Sequence, residues 1–277
     1  MTRCSDAARS AAEPMPGSAP HAQAWIAVEH PEGWGDAPLA RSASGVRVVM
    51  VRGERDRSGP TRVWVAQAGA TPTLRQGTVT DPADVAGWDL AEVAGGSLLG
   101  WGRPDPTPLL LVCANGRRDR CCGHDGGRLA DRLRAGRWGA RVLTSTHLGG
   151  HRFAPTALLL PWGVLHGRLD PDSAERLLDL ATRGQTPTAS LRGFSAQAEA
   201  AQVAEAWARQ STGYVGLAPL PVDVRPGAGP DHATASVGLP AGSAEVALVR
   251  VRQQVLASCG RAAEATPRWE VAPAAPA

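Results

Sequence analysis

The sequence contains no lysine, so arginine supplies every basic side chain other than histidine, and the formal net charge is only +3 over 277 residues. The nearest approach to a basic run is RRDR at 117–120. Nucleic-acid-binding proteins concentrate their basic residues on one face or in one run. We therefore expect no nucleic-acid partner.

Long hydrophobic runs are also missing. No stretch approaches the roughly 20 consecutive apolar residues that a membrane-spanning helix needs. The N-terminal segment MTRCSDAARSAAEPMPG lacks the apolar core of a signal peptide. The sequence therefore predicts a cytoplasmic protein with no membrane partner.

Cysteine is scarce but unevenly placed. There are five cysteines, and three of them lie between positions 113 and 122. An odd number crowded in this way favours metal binding or redox chemistry over a disulfide framework in a reducing compartment. Two histidines follow in STHLGGHRFAP, and thiolate and neutral imidazole are ligands that soft and borderline metals prefer. The candidate metal ligands are Cys113, Cys122, His147 and His151.

The residues alone leave four interpretations of this site open. The first is a structural zinc site, since Cys2His2 is a normal zinc shell, although eight residues between the two cysteines is a wide gap. The second is thiol redox chemistry at Cys113, Cys121 or Cys122, although the vicinal pair is not a C-x-x-C motif. The third is a [2Fe–2S] cluster with two thiolates on one iron and two imidazoles on the other, as in Rieske centres. The fourth is a set of buried side chains without any ligand.

The order of predicted elements indicates an α/β protein with a repeated layout. The first half has two strands, a hairpin after Gly59–Pro60 and a helix, predicted at 24–30, 46–53, 61–67, 73–79 and 81–93. The second half has a strand, a helix, a strand, a hairpin after Ala154–Pro155 and a helix, predicted at 108–113, 126–136, 140–147, 156–163, 164–170 and 171–184. This order is thioredoxin-like, and it predicts two tandem thioredoxin-like lobes. In that fold the proline before the third strand is usually cis and faces the site, which identifies Pro155.

A third region, residues 186–277, has a different order of predicted elements. Residues 195–213 predict a helix that begins at a serine N-cap and ends at a glycine, and three further runs predict a small antiparallel meander. The Pro/Ala-rich tail after about residue 262 is expected to be loose. No residue of this region suggests chemistry. The predicted domains are 1–103, 104–185, which carries the candidate ligands, and 186–277.

The motifs VC-x-x-G-x-RD-x-CCG, H-x-GGHRFAPT and LP-x-G resemble those of the sucrase/ferredoxin-like family. The N-terminal segment from CSDAAR to HPEGWG is similar to that of actinobacterial members, so the resemblance covers most of 1–185. It implies a thioredoxin-like protein whose [2Fe–2S] cluster is held by two cysteines and two histidines. Matched by position, the implied ligands are Cys113, Cys122, His147 and His151, with Cys121 as a non-ligand.

The function that this resemblance implies is electron transfer to or from an unidentified redox partner protein, or redox sensing. The chain is expected to be an electron carrier rather than a sucrose hydrolase, because glycoside hydrolysis needs two carboxylates flanking the scissile bond and no such pair is evident. Asp119 with Arg118 is expected to order the loop instead. Cysteines would hold the inner iron, and histidines with solvent-facing N–H groups would hold the outer iron and couple electron gain to proton gain. The alternative function is a structural zinc-binding or interaction module.

Overall fold

The computed structural model describes residues 2–30, 34, 39–53 and 59–273, so part of the N-terminal family motif, 31–33 and 35, lies outside the described residues. Over these ranges no helix is both long and apolar enough to cross a membrane. The helices and strands together form an α/β fold, which confirms the predicted class. The α-helices of the described ranges are α1 (Cys4–Ser10), α2 (Leu90–Ala94), α3 (Gly127–Arg134), α4 (Pro171–Ala181) and α5 (Glu199–Thr212).

The first half of the chain builds one side of a large mixed sheet. Its strands are β1 (Ala24–Glu29), β2 (Arg41–Ala43), β3 (Val46–Arg52), β4 (Thr61–Gln67), β5 (Thr73–Val79) and β6 (Arg103–Pro104). Strand β1 pairs in parallel with β3 and antiparallel with β4, and β4 pairs antiparallel with β5. The spatial order is therefore β3-β1-β4-β5.

The second half repeats this pairing. Its strands are β7 (Leu109–Cys113), β8 (Val142–Ser145), β9 (Ala157–Leu160), β10 (Val164–His166) and β11 (Leu191–Phe194). Strand β7 pairs in parallel with β8 and antiparallel with β9, and β9 pairs antiparallel with β10. The order β8-β7-β9-β10 matches that of the first half, so the predicted repeat is present in the strand pairing. All five residues of β7 are buried, as expected for a strand that is covered on both faces.

The two halves share one sheet. Strands β3 and β8 pair antiparallel through Val51 with Ser145 and Arg52 with Thr144, which gives the order β11-β10-β9-β7-β8-β3-β1-β4-β5-β6. A single buried core cluster contains Trp25 and Val49 from the first half together with Leu111 from the second. The thioredoxin-like description and the domain boundaries at 103 and 185 stay predictions.

The third region forms a separate four-stranded antiparallel sheet. Its strands are β12 (Val222–Pro226), β13 (His232–Leu239), β14 (Gly242–Val255) and β15 (Glu264–Val271). The prediction of a loose tail after residue 262 is wrong for β15, because its eight residues pair with β14 and Trp269 packs against the core beneath α5. The last four residues, 274–277, lie outside the described residues.

Two helix predictions also need correction. The helix predicted at 81–93 is two short elements, a 3-10 turn (Pro82–Gly87) and α2, because Asp81 caps the first and the Asp89 side chain accepts hydrogen bonds from the first backbone N–H groups of the second. The helix predicted at 195–213 begins only at Glu199, although it ends at Gly213 as predicted. Helix α1 was not predicted from the sequence.

Candidate metal centre

Cys113 and Cys122 are brought together by a loop that folds back onto β7. Cys113 ends β7, and Cys122 begins a π-helical turn (Cys122–Gly126) that leads into α3. A Cβ atom at Gly126 would overlap the carbonyl oxygen of Cys113, so only glycine lets the turn approach the strand this closely. Both cysteines are buried, and their side chains are hydrogen-bonded to each other.

The pKa values of these two thiols are shifted in opposite directions. The hydrogen bond from Cys122 lowers the pKa of Cys113 well below its usual range, against the effect of burial, and hydrogen bonding to the His147 side chain lowers it further. The same hydrogen bond and burial raise the pKa of Cys122. Cys113 is therefore stabilised as a thiolate, the form in which cysteine binds metals.

The two histidines lie beside these thiols on the segment after β8. His151 begins a 3-10 turn (His151–Phe153) that leads into the Ala154–Pro155 peptide bond, and this bond is cis, as predicted. The rings of His147 and His151 have centroids 5.3 Å apart. The Nδ1 atom of His147 is buried and has no hydrogen-bond partner in the described part of the chain. Buried polar atoms are normally paired, so this nitrogen is available to a ligand.

His151 differs from the prediction of a solvent-facing N–H group. Its Nδ1 lies 3.0 Å from the Oδ2 atom of Asp119, and the residue is 9% exposed. The prediction is wrong for His151, because the loop places a buried carboxylate on that nitrogen. A carboxylate on Nδ1 holds the proton there and leaves Nε2 as the nitrogen that could bind a metal.

Asp119 orders the loop through hydrogen bonds, as predicted, whereas its charge pairing with Arg118 stays a prediction. Its Oδ1 accepts a hydrogen bond from the backbone N–H of Cys121 at 2.9 Å, and its Oδ2 accepts from the hydroxyl of Ser258 and the N–H of Cys259, each at 2.9 Å. Burial would raise the pKa of Asp119, but these hydrogen bonds and the neighbouring His151 outweigh it and lower the pKa to about 2. Asp119 is therefore ionised at neutral pH.

Arg192 is a functional candidate that sequence reasoning missed. It is fully buried and donates hydrogen bonds to the Gly149 carbonyl and the Ser18 hydroxyl, both at 3.0 Å. Position 150 requires glycine, because its φ is +68° and the Cβ atom of any other residue would overlap the guanidinium group of Arg192. Burial lowers the pKa of Arg192 to about 9, while Cys122 and Cys113 act in the opposite direction, so the residue remains a cation beside the two thiols at neutral pH.

A second group of metal-ligand atoms lies next to the first. Its four side chains come from α1, the loop, and the segment after β14, and their ligand atoms all lie within 4.8 Å of one another: Cys4, Asp119, Cys121 and Cys259. Cys4 and Cys121 are fully buried. This Cys/Asp/Cys/Cys group could bind a metal ion, and it includes Cys259 from region 186–277, in which we expected no chemistry. Its only signal in the sequence was the set of three cysteines left outside the predicted ligands.

Comparison with known proteins gives one family match. A family model described as sucrase/ferredoxin-like matches residues 15–193, which is more than half of the chain. No curated protein and no solved structure matches the chain. The matched segment includes the predicted ligands and Cys121, whereas Cys4 and Cys259 lie outside it.

Proposed function

The chain belongs to the sucrase/ferredoxin-like family, and from this premise we propose that it is an electron-transfer protein whose [2Fe–2S] cluster is held by Cys113, Cys122, His147 and His151. The observation that carries the proposal is the meeting of two hydrogen-bonded, buried thiols with two histidine rings at the end of β7. The unpartnered Nδ1 of His147 supports the proposal, because coordination of a metal ion would satisfy that buried nitrogen.

The roles of the residues follow from their surroundings. Cys113 and Cys122 are fully buried and would hold one iron, while the half-buried His147 and the less exposed His151 would hold the other. When bound, a [2Fe–2S] cluster supplies a one-electron couple. Asp119 keeps the proton on Nδ1 of His151, so this histidine would ligate through Nε2.

Arg192 would set the charge balance of the site. Two neutral imidazoles leave a cluster less negative than four thiolates do, which raises the reduction potential. The buried guanidinium of Arg192 adds a fixed positive charge next to Cys113 and Cys122 and favours the more negative, reduced state. Both effects support a potential above that of an all-cysteine ferredoxin.

A hydrolytic function finds no support at this site. A glycosidase needs one carboxyl group that stays protonated to act as the general acid. Asp119 is ionised, with its pKa lowered to about 2, and its oxygens accept hydrogen bonds from its neighbours. Asp125 forms an ion pair with Arg3 and contacts Nδ1 of His124 at 2.8 Å, and its pKa is also lowered. The proposed role is therefore to exchange electrons with a redox partner protein or to sense redox state.

Ligand variants test the proposal. Cys113→Ser and Cys122→Ser should each abolish the visible charge-transfer absorption of protein purified without oxygen, because serine is a harder ligand that matches iron poorly. Cys121→Ser is the matched control, one position from Cys122, and should retain the absorption and the iron content. If Cys121→Ser bleaches the protein while Cys122→Ser does not, the assigned ligand set is wrong.

A further inference from the structure

We propose that Cys4, Cys121, Cys259 and Asp119 form a second, structural metal site that takes zinc and is separate from the [2Fe–2S] site. Cys4 and Cys259 lie outside the segment that matches the family model, so the family match does not account for this group. The inference does not depend on the proposed function, because the two sets of ligands share no residue.

The distances within the group suit a tetrahedral ion. The Sγ atoms of Cys4, Cys121 and Cys259 are separated by 3.6, 3.3 and 3.6 Å. Tetrahedral zinc with Zn–S near 2.3 Å and Zn–O near 2.0 Å requires S···S distances of about 3.8 Å and S···O distances of about 3.5 Å. The Asp119 oxygens lie 3.5 and 3.7 Å from the Cys4 Sγ. The three sulfurs, and the Asp119 oxygens relative to Cys4, therefore lie within about 0.5 Å of the separations that zinc needs, and all four ligand atoms lie within 4.8 Å of one another.

The donor set also suits zinc chemically. Three thiols and one carboxylate are zinc ligands, and four protein ligands close the shell, which is typical of structural sites. Binding would release the three thiol protons to solvent as the thiolates bind the ion. Arg3 hydrogen-bonds to Cys121, and the Ser5 hydroxyl donates to the Cys121 Sγ at 3.2 Å, so two neighbours are in place to stabilise that thiolate.

A disulfide explains the group less well. Bonded sulfurs are about 2.05 Å apart, whereas all three S···S separations here exceed 3 Å and all five cysteines of the chain are free. Any one disulfide would also leave the third thiol unpaired beside the ionised Asp119. A metal ion uses all three thiols at once.

The location of the site explains what the metal would do. Cys4 begins α1, Cys121 belongs to the loop beside β7, and Cys259 follows β14, so the ligands are 117 and 138 residues apart along the chain. A metal would tie the N-terminal helix and the C-terminal sheet to the loop that holds Cys122. Asp119 extends this connection, because its Oδ2 also contacts Nδ1 of His151.

Metal analysis of protein purified without oxygen tests the proposal. We expect one zinc per chain in the wild type, beside whatever iron it holds. Cys259→Ser and Cys4→Ser should lose the zinc while keeping the iron and the visible absorption. Cys113→Ser is the reciprocal control and should lose the iron while keeping the zinc. The proposed function fails if iron is absent, whereas the present inference fails if zinc is absent, so the two failures are distinguishable.

Cobalt substitution of the wild-type protein gives a spectroscopic test that does not depend on how well the variants fold. Wild-type protein stripped of zinc and reloaded with Co²⁺ should show the thiolate charge-transfer bands of a tetrahedral cobalt site, and its thermal unfolding midpoint should rise on reloading. Three outcomes would overturn the proposal: wild-type protein that takes up no Zn²⁺ when fully reduced, Cys259→Ser protein that retains the zinc, or more than two irons per chain, which would identify a second iron site.

Discussion

At the scale of single residues, Asp119 is the side chain on which the two metal-ligand groups meet. One oxygen accepts the Cys121 N–H, and the other contacts Ser258, Cys259 and Nδ1 of His151. An ionised, fully hydrogen-bonded carboxylate of this kind fixes the orientation of a neighbouring imidazole. The placement of His151 therefore depends on a residue that is itself a member of the second group.

His166 should determine part of the acid sensitivity of the fold. Its ring nitrogens contact the hydroxyls of Ser190 and Thr186, and burial, with nearby Arg192, lowers its pKa from 6.5 to about 3. As the pH falls, His166 is protonated in the unfolded chain before it is protonated in the folded protein. The contribution of neutral His166 to the free energy of unfolding is therefore complete above about pH 6.5 and declines as the pH falls toward 3. The expected slope is about 1.4 kcal/mol per pH unit.

Urea unfolding at several pH values measures this effect. The wild type should lose stability from pH 6.5 downward, and His166→Asn should lose this component of the pH dependence because the amide does not titrate. Identical pH profiles for the two proteins would contradict the assignment of the acid sensitivity to His166.

At the scale of elements, the π-helical turn after Cys121 determines whether Cys122 reaches Cys113. Gly126→Ala should destabilise the protein by about 1–3 kcal/mol, the usual cost of overpacking, and reduce the iron content, because the new Cβ would overlap the Cys113 carbonyl oxygen. Gly127→Ala is the control: its Cβ would meet nothing within 4 Å, and the exchange in a helix should stabilise by about 0.5–1 kcal/mol. Iron analysis and urea unfolding compare the two. Equal effects of both substitutions would contradict this role for the turn.

Local sequence predicts individual elements of the fold, but it does not predict contacts between residues that are far apart in the chain. The buried run LLLVC predicts β7, and Ala154–Pro155 indicates the cis bond, because each signal lies within a few residues of the structure that it predicts. Cys259 could not be assigned to a site in this way. It contacts Cys4 across 255 residues of sequence, and no local periodicity encodes such a contact. Arg192 was missed for the same reason, since its partner Gly149 is 43 residues away.

At the scale of the whole molecule, the proposed [2Fe–2S] site is part of a core that both halves of the chain build. Cys113 and Cys122 belong to the same buried cluster as Trp25 and Val49, and strand β3 pairs with β8 across the middle of the sheet. The first half therefore completes the hydrophobic surroundings of the proposed ligands.

A fragment of residues 104–277 should consequently fail to fold. It contains all four proposed cluster ligands, but it would expose the face of the sheet that packs against the first half, together with the unpaired edge of β8. We expect insoluble or iron-free protein, measured by soluble yield and iron analysis against the full chain. A soluble fragment that retains the wild-type visible absorption would show that the domain predicted at 104–185 forms the site without the first half.

Pulsed electron paramagnetic resonance of the full-length protein, purified without oxygen and reduced by one electron, tests the central claim most directly. If Cys113, Cys122, His147 and His151 hold a [2Fe–2S] cluster, the reduced protein gives a spin-½ signal with hyperfine couplings to two histidine nitrogens. Replacement of His147 by cysteine should leave the signal and remove one of the two couplings. A reduced protein with no such signal, or with a signal that carries no nitrogen coupling, would contradict the account.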